Sequence, residues 1–215
     1  MLAHESLIEA LDTSDEDRQL IIAPLLDRDQ VGSSSIDMRL GTEFLQISRT
    51  TQGILDPFAE HDEQRIVVPF GEGLVIHPGQ FLLGSTLEFL CVPTCLGGQV
   101  LTRSSWARNG LVVATAVTVH PGFRGSLTLE LVNMGTVPLQ LRTGTRIAQL
   151  VLWELAGAAT MQAYPVAGKY RDPIGPESSR LDRERDEHDR IIRVGRALFG
   201  PPPGPPSRAT EDESA

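Results

Sequence analysis

The sequence has little of what nucleic-acid-binding, membrane or disulfide-stabilised proteins need. Its 19 basic residues are outnumbered by 28 acidic ones, for a net charge of −9, whereas a general nucleic-acid binder needs a basic surface to displace counterions. No apolar run approaches the roughly 18 residues of a membrane span. The N-terminus shows no secretory signal, and two cysteines, Cys91 and Cys95, are too few for a disulfide framework. We therefore expect a cytoplasmic protein that binds neither nucleic acid nor membrane.

Several catalytic signatures are also missing. The sequence has no P-loop, and no G-x-G-x-x-G follows a strand-like segment. The H-x-E…P-C-x-x-C pattern of zinc-dependent nucleobase deaminases is absent, together with the metal-activated water that it would hold. Cys91 and Cys95 flank Pro93, which indicates core packing and a turn more than a metal site. The chain has a single lysine, Lys169, which is either an ordinary solvated residue or a functional one.

Short apolar segments separated by turn signals predict an all-β fold. Such spacing between residues 65 and 155 is typical of a β-sandwich or β-barrel. The predicted strands do not alternate with helices, which argues against a parallel α/β sheet. The predicted strands are RIVV, GLVIH, QFLLGSTLEFLCV, GQVLTR, LVVATAVTV, SLTLELVN, LQLR and RIAQLVLWEL. Helical spacing predicts a short helix over 5–11, and the charged stretch 179–198 is compatible with a surface helix.

Glu130 is a candidate catalytic residue within the predicted strand SLTLELVN. In a strand, Leu127, Leu129 and Leu131 point to one side, and Thr128 and Glu130 to the other. This pattern fits the water-exposed side of an antiparallel sheet. It equally fits a carboxylate on a rigid strand that points into a pocket and acts as a general acid and base.

Two further segments offer polar groups beside predicted strands. The segment Arg103–Arg108 places two arginines and two hydroxyls at the end of a strand, either as an anion site or as a capped turn with solvated arginines. His120 lies in the turn His-Pro-Gly before the strand of Glu130. It is a turn residue, a ligand contact or a pH-sensitive group, and the pattern alone favours the turn.

Five segments, in order, resemble the dCTP deaminase branch of the dUTPase-like superfamily. They are GSSSIDMRLG (32–41), IHPGQFLLGSTLE (76–88), RSSWARNGL (103–111), VHPGFRGSLTLELVN (119–133) and AGKYRDPIGPESSR (167–180). The resemblance covers residues 1–182 and implies an all-β, dUTPase-like distorted jelly-roll β-barrel with short helices at both ends. Residues 183–199 then form a charged C-terminal helix, and residues 200–215 a disordered Pro/Gly-rich acidic tail.

The resemblance also implies an activity and an assembly. Members hydrolyse dCTP to dUTP and ammonia without a catalytic metal, and Mg²⁺ accompanies the triphosphate. They assemble as homotrimers with active sites at subunit contacts. A bifunctional subgroup goes on to split dUTP into dUMP and pyrophosphate.

The resemblance assigns roles to individual residues of this chain. Glu130 falls on the catalytic glutamate, and Ser104 and Arg108 fall where the attacking water is ordered. The other positions that match substrate contacts are Arg103, Ser105, Trp106, Ala107, His120, Thr128, Leu129, Tyr164 and Lys169.

This chain departs from the family pattern in three places. His120 stands where an aspartate is common, residues 110–121 are about one residue shorter, and Pro173 replaces a lid glutamine. We expect dCTP deamination. A dUTP or related pyrophosphatase, or a bifunctional enzyme, is the alternative enzyme, and a non-catalytic nucleotide-binding module is the alternative of another class.

Overall fold

The computed structural model describes residues 1–48, 54–59, 62–114, 118–157 and 172–199. Strands outnumber helices among these residues, as the sequence predicts. The strands are β1 (Ile21–Ala23), β2 (Ile36–Arg39), β3 (Glu43–Ile47), β4 (Glu63–Val67), β5 (Gly73–Ile76), β6 (Phe81–Cys91), β7 (Leu96–Thr102), β8 (Leu111–Ala114), β9 (Thr118–Val119), β10 (Arg124–Asn133), β11 (Leu139–Arg142) and β12 (Arg146–Glu154). The helices are α1 (His4–Asp12), α2 (Ser104–Ala107) and α3 (Arg185–Phe199), with 3-10 turns at Arg28–Gln30 and Leu181–Glu184.

The described strands pair into three antiparallel sheets. The largest has the order β4-β3-β6-β10-β8, with β1 also paired to β6. A four-stranded sheet has the order β2-β12-β7-β9, and β11 pairs with β5. Neighbouring strands come from distant parts of the sequence, as β2 and β12 show. The predicted all-β class is confirmed.

The core lies between the two larger sheets and is built by alternation along their strands. Along β10, Leu127, Leu129 and Leu131 are buried in the core while Thr128 and Glu130 are only half-buried. The four-stranded sheet contributes apolar side chains to the same cluster, which are Ile36, Met38, Val100, Val119, Ile147, Leu150 and Leu152. We call the side of the six-stranded sheet away from this core its outer face.

Two segments differ from the sequence prediction. β3 was not predicted, because Phe44 and Leu45 are both buried and so lack the alternation of a half-exposed strand. The segment LVVATAVTV was predicted as one strand, but β8 and β9 pair with different sheets. The residues between them, 115–117, lie outside the described part of the chain.

The described residues divide into two compact units. One comprises those within Met1–Ile54 and His61–Ser178, and the other those within Leu55–Glu60 and Ser179–Ala215. In the second unit the ring of His188 on α3 stacks on Phe58 at 5.0 Å between centroids. The predicted boundary at residue 182 stays a prediction, and the predicted tail 200–215 lies outside the described residues.

A buried polar network joins β6 to β2. The side chain of Glu88 is fully buried, and its carboxylate accepts hydrogen bonds from the Gln30 side-chain amide (3.0 Å) and the Arg39 backbone N–H (2.9 Å). The Arg39 guanidinium donates in turn to Gln30 Oε1 at 3.0 Å. Burial raises the pKa of Glu88, and these hydrogen bonds oppose that shift. The network therefore satisfies a carboxyl group that the core would otherwise exclude.

We expect Glu88→Ala to destabilise the protein by about 3 kcal/mol or more, because it leaves buried donors without an acceptor. Urea unfolding measures this change. Glu72→Ala is the matched control, since Glu72 is exposed and such a surface change costs within about 0.5 kcal/mol. Equal midpoints for the two variants would contradict the prediction.

Candidate active site

Glu130 lies near the middle of the six-stranded sheet, on its outer face. Its backbone pairs with Leu83 of β6 on one side and Ala114 of β8 on the other. Leu83 pairs in turn with Leu45 of β3, so the side chains of Glu130, Leu83 and Leu45 form one row across the outer face. Leu45 and Leu83 are 5% and 8% exposed, although neither belongs to the core cluster. Glu130 is therefore held on a rigid strand beside apolar neighbours.

The environment of Glu130 favours a proton-accepting role. Burial raises the pKa of its carboxyl above the ordinary 4.5. Within the described part of the chain, the carboxylate has no hydrogen-bond or ion-pair partner that would counter this shift. A carboxyl with a raised pKa is a stronger base when ionised, and it can also return the proton. The sequence pattern puts Glu130 on the polar side of its strand, which is the outer face in the structure. Its catalytic role stays a prediction.

The turn between β7 and β8 presents polar groups at the surface. Ser104, Ser105 and Arg108 are exposed on or next to α2. Neither serine hydroxyl nor the Arg108 guanidinium has a side-chain partner among the described residues. Ala107 is exposed beside them. This turn leaves two hydroxyls and one positive charge available to a ligand.

Two residues of the same turn are already used within the protein. The Trp106 indole N–H donates to the backbone carbonyl of Arg146 at 2.9 Å, and the ring packs against the core. Arg103 forms an ion pair with Asp37, with 3.2 Å between Nε and Oδ1. These contacts hold the turn against β2 and β12. Trp106 and Arg103 therefore position the turn. Arg108 carries the positive charge of the turn that is not paired with a carboxylate among the described residues.

Asp37 is the carboxylate that the sequence analysis did not single out. Asp37 is 8% exposed, and its carboxylate forms ion pairs with Arg103 and with Arg146 (3.5 Å between Nη1 and Oδ2). Its Oδ1 also accepts a hydrogen bond from the Gln149 side-chain amide at 3.2 Å. The sequence feature that could have indicated Asp37 is an acidic residue between two apolar residues of a strand, Ile36 and Met38, which are both buried. A carboxylate at that position needs buried or half-buried cations as partners, but the sequence does not say which ones.

The remaining predicted contacts lie apart from one another within the chain. His120 is exposed in the turn before β10, where its carbonyl accepts from the Phe123 N–H at 3.1 Å. The Thr128 hydroxyl oxygen accepts from the Glu177 N–H at 3.1 Å. The side chain of Leu129 is 1% exposed in the core, so it can offer a ligand only its backbone. Tyr164 and Lys169 lie outside the described residues.

Among the described residues, no group of three or more His, Cys, Asp or Glu side chains is arranged to hold a metal ion. In that same part of the chain, no helix has the length and apolar character needed to span a membrane.

Comparison with known proteins places the chain in a family. A model of the family described as dCTP deaminase-like matches residues 7–155. A dCTP deaminase of Halorubrum lacusprofundi is 41% identical over 178 residues, covering 79% of this chain and 87% of that protein. A dUMP-forming dCTP deaminase of Halobacterium salinarum is 42% identical over 177 residues, covering 79% and 91%.

A solved structure supports the fold independently. The 2′-deoxycytidine 5′-triphosphate deaminase from Agrobacterium tumefaciens matches with a TM-score of 0.52 and 24% identity, over 70% of this chain. The match covers 46% of that protein's chain, and at this identity it shows the fold alone. The chain thus shares the fold of that deaminase, and the all-β class predicted from the sequence is confirmed. This chain belongs to the dCTP deaminase-like family, which confirms the resemblance.

We expect Glu130→Gln to raise the melting temperature at about pH 8, because the folded protein disfavours the ionised carboxyl. A folded-state pKa above the unfolded one gives stability that is lost as pH rises through the folded pKa, and glutamine has no such loss. The difference should vanish below the ordinary pKa of 4.5. Thermal unfolding across pH measures it, with the exposed Glu72→Gln as control. A gain that persists in acid would contradict this explanation.

Proposed function

We propose that this chain is a hydrolase that deaminates dCTP to dUTP and ammonia in pyrimidine deoxynucleotide metabolism. The observation that carries the proposal is Glu130, a half-buried carboxyl on a central strand whose pKa burial raises. A protein that only binds a nucleotide gains nothing from this group, because a carboxylate near a polyanion weakens ground-state binding. The relatives supply the substrate, since proteins 41% and 40% identical to this chain are dCTP deaminases.

The proposed reaction needs one group that accepts and returns protons. Glu130 takes a proton from water as the water oxygen bonds to C4 of cytosine, and this proton passes to ring N3. The hydroxyl proton of the tetrahedral intermediate then passes through the same carboxyl to the amine. The C4–N bond breaks, ammonia leaves and a carbonyl forms at C4. A raised pKa suits both transfers, because proton exchange is most efficient when the pKa lies near the working pH.

The exposed turn supplies the anion contacts in this proposal. Ser104 and Arg108 order the attacking water and support the glutamate, and the segment Arg103–Arg108 binds the triphosphate. Arg108 contributes most of the available charge, because Arg103 is paired with Asp37. Thr128 and the backbone of Leu129 line the base pocket. Tyr164 and Lys169 complete the triphosphate contacts.

Mg²⁺ enters this reaction as part of the substrate. Triphosphate oxygens are ligands that Mg²⁺ prefers, and the ion usually keeps several waters when it is bound with a nucleotide. The protein's own contribution is then the arginine and serine donors of the segment Arg103–Arg108. No step of the proposed deamination passes through the ion.

The next question is whether the product is dUTP or dUMP, because some relatives are named dCTP deaminase and others dUMP-forming dCTP deaminase. The Halobacterium salinarum relative is dUMP-forming, and the Halorubrum lacusprofundi relative is named for deamination alone. Splitting dUTP needs a base beside an anionic group. A carboxylate supplies such a base together with a negative charge that helps ready a water, whereas an imidazole supplies no negative charge. With His120 at this position, we assign dUTP as the product.

A homotrimer with shared sites is the proposed assembly, and the cytoplasm its compartment. Arg124 begins β10 and lies six residues before Glu130, about 20 Å at 3.3 Å per residue. His120 precedes Arg124 in the turn. Arg124 and Glu130 therefore lie about 20 Å apart along one strand, and a neighbouring copy can bring further contacts to the site of Glu130.

The test is to incubate the purified protein with Mg²⁺ and, separately, dCTP, dUTP and CTP, following ammonia and pyrophosphate. We expect ammonia from dCTP, with dUTP accumulating intact. Glu130→Gln should retain nucleotide binding but lose at least about a hundredfold in rate, because glutamine cannot carry a proton. His120→Asp should raise pyrophosphate release.

Other outcomes identify the alternatives. Pyrophosphate from dUTP at a rate comparable to ammonia release would make the enzyme a pyrophosphatase or a bifunctional deaminase. Nucleotide binding with neither product would indicate a binding module. Full activity of Glu130→Gln would remove Glu130 from its role.

We expect sedimentation to give about three times the 23.4 kDa chain mass, as closed symmetric assembly predicts. Removing residues 200–215 should change neither the mass ratio nor activity, because a Pro/Gly-rich acidic segment buries little apolar area. A monomeric full-length protein would contradict the shared site.

A further inference from the structure

Asn133, the last residue of β10, is fully buried, and its side chain joins three pieces of backbone. The side-chain N–H groups donate to the carbonyl of Ile76, at the end of β5, and to that of Val137, both at 2.9 Å. The Asn133 Oδ1 accepts from the Gly135 N–H, also at 2.9 Å. Three of the four hydrogen bonds open to an amide side chain are therefore formed. They fix the loop 134–138, which connects β10 to β11, against the end of β5.

The loop 134–138 lies in turn against Gly110, the residue before β8. The Met134 N–H donates to the Gly110 carbonyl at 2.8 Å. A Cβ at Gly110 would stand 2.8 Å from the Gly135 nitrogen, so the two backbones make contact where neither residue has a side chain. Gly110 has a φ of +88°, the left-handed conformation in which glycine commonly ends a helix. The loop therefore packs against the C-terminal end of the turn that carries Arg108.

Gly110 is hydrogen-bonded directly to that turn. The Gly110 N–H donates to the Ala107 carbonyl and the Arg108 N–H to the Ser104 carbonyl, each at 3.0 Å. The ion pair of Arg103 holds the first end of the turn, and Gly110 holds the second. Since the Arg108 guanidinium has no side-chain partner among the described residues, its position follows from that of its backbone. The contact at Gly110 therefore decides where this charge is presented.

We propose that Asn133 is a positioning residue for Arg108. Asn133 fixes the loop 134–138, the loop fixes Gly110, and Gly110 fixes the end of the turn. Charge-assisted hydrogen bonds to phosphate depend on the placement of the guanidinium, so its displacement weakens them. The inference rests on the proposed function in one respect, which is that Arg108 binds the triphosphate.

A purely structural role for Asn133 predicts a different result. Loss of buried hydrogen bonds lowers stability at any such position, but it weakens anion binding through Arg108 only if the two residues are linked. An effect that acts through one side chain disappears once that side chain is removed, and a double-mutant cycle measures this. The inference therefore predicts coupling between Asn133 and Arg108 in anion binding.

The first experiment compares Asn133→Ala with Thr143→Ala in the full chain, each with and without Arg108→Ala. Thr143 is a matched control, because it is 3% exposed and its hydroxyl also holds a turn. That hydroxyl donates to the Pro69 carbonyl at 2.7 Å and accepts from the Gly71 N–H at 2.8 Å. Calorimetric titration with inorganic tripolyphosphate measures the affinity, and kcat/KM for dCTP is measured beside it.

We expect Asn133→Ala to weaken tripolyphosphate binding roughly tenfold, as for the loss of one charged contact. Thr143→Ala should bind as tightly as the unaltered protein, and kcat/KM for dCTP should fall only in Asn133→Ala. In the Arg108→Ala background, Asn133→Ala should cause no further loss of affinity. An undiminished loss in that background, or an equal loss in Thr143→Ala, would overturn the positioning role.

A second pair of variants keeps the inference testable if Asn133→Ala does not fold. Gly110→Ala displaces the loop but keeps the Asn133 side chain, and Gly71→Ala is its control. The two glycines have φ values of +88° and +87°, so the backbone strain is matched, whereas a Cβ at Gly71 meets nothing within 4 Å. We expect faster hydrogen exchange at the Met134 amide and a loss of tripolyphosphate affinity in Gly110→Ala alone. Equal affinities in the two glycine variants would count against the inference.

Failure of the proposed function gives a different pattern of results. If no ammonia forms from dCTP but the tripolyphosphate affinities change as stated, deamination is wrong and the role of Asn133 stands. If ammonia forms and Asn133→Ala binds tripolyphosphate as tightly as the unaltered protein, deamination stands and the inference fails. An unaltered protein that does not bind tripolyphosphate would also overturn the inference.

Discussion

The burial of three leucines on one side of β10 constrains the rest of the site. Leu127, Leu129 and Leu131 are each at most 2% exposed in the core. Burying one leucine contributes about 2 kcal/mol. A slip of one residue would turn all three to the outer face and place Glu130 in the core. The position of Glu130 is therefore set by its apolar neighbours in sequence, and by no polar contact of its own among the described residues.

A second constraint fixes the turn between β7 and β8, for which we propose anion binding, and it acts through charge. Asp37 draws Arg103 and Arg146 to one buried carboxylate, and the Arg146 carbonyl receives the Trp106 indole N–H. The turn is thus tied to β2 and β12 on one side while Ser104, Ser105 and Arg108 stay exposed. An acidic protein can bind a polyanion in this way, because local placement of a few donors matters more than net charge.

What the sequence could predict depends on how local each interaction is. The alternation of SLTLELVN predicts both the strand and the side on which Glu130 lies, since period-two patterning acts between adjacent residues. The pairing of Arg103 with Asp37 spans 66 positions and has no local signal. The need for glycine at 125 is likewise set by Pro173, which approaches from a distant segment. Such contacts follow only from the topology that brings β2, β12 and residues 172–178 beside their partners.

Glu88 and Glu130 show how one chemical group serves two purposes in the same sheet. Burial raises the pKa of both carboxyls. Glu88 accepts hydrogen bonds from Gln30 and from the Arg39 backbone, so its ionised form is satisfied and links two sheets. Glu130 has no such donor within the described residues, and its ionised form remains reactive towards a proton. The core can hold the Glu88 carboxylate because its hydrogen-bond partners are complete. The role proposed for Glu130 requires instead that its carboxylate stay available to water and substrate.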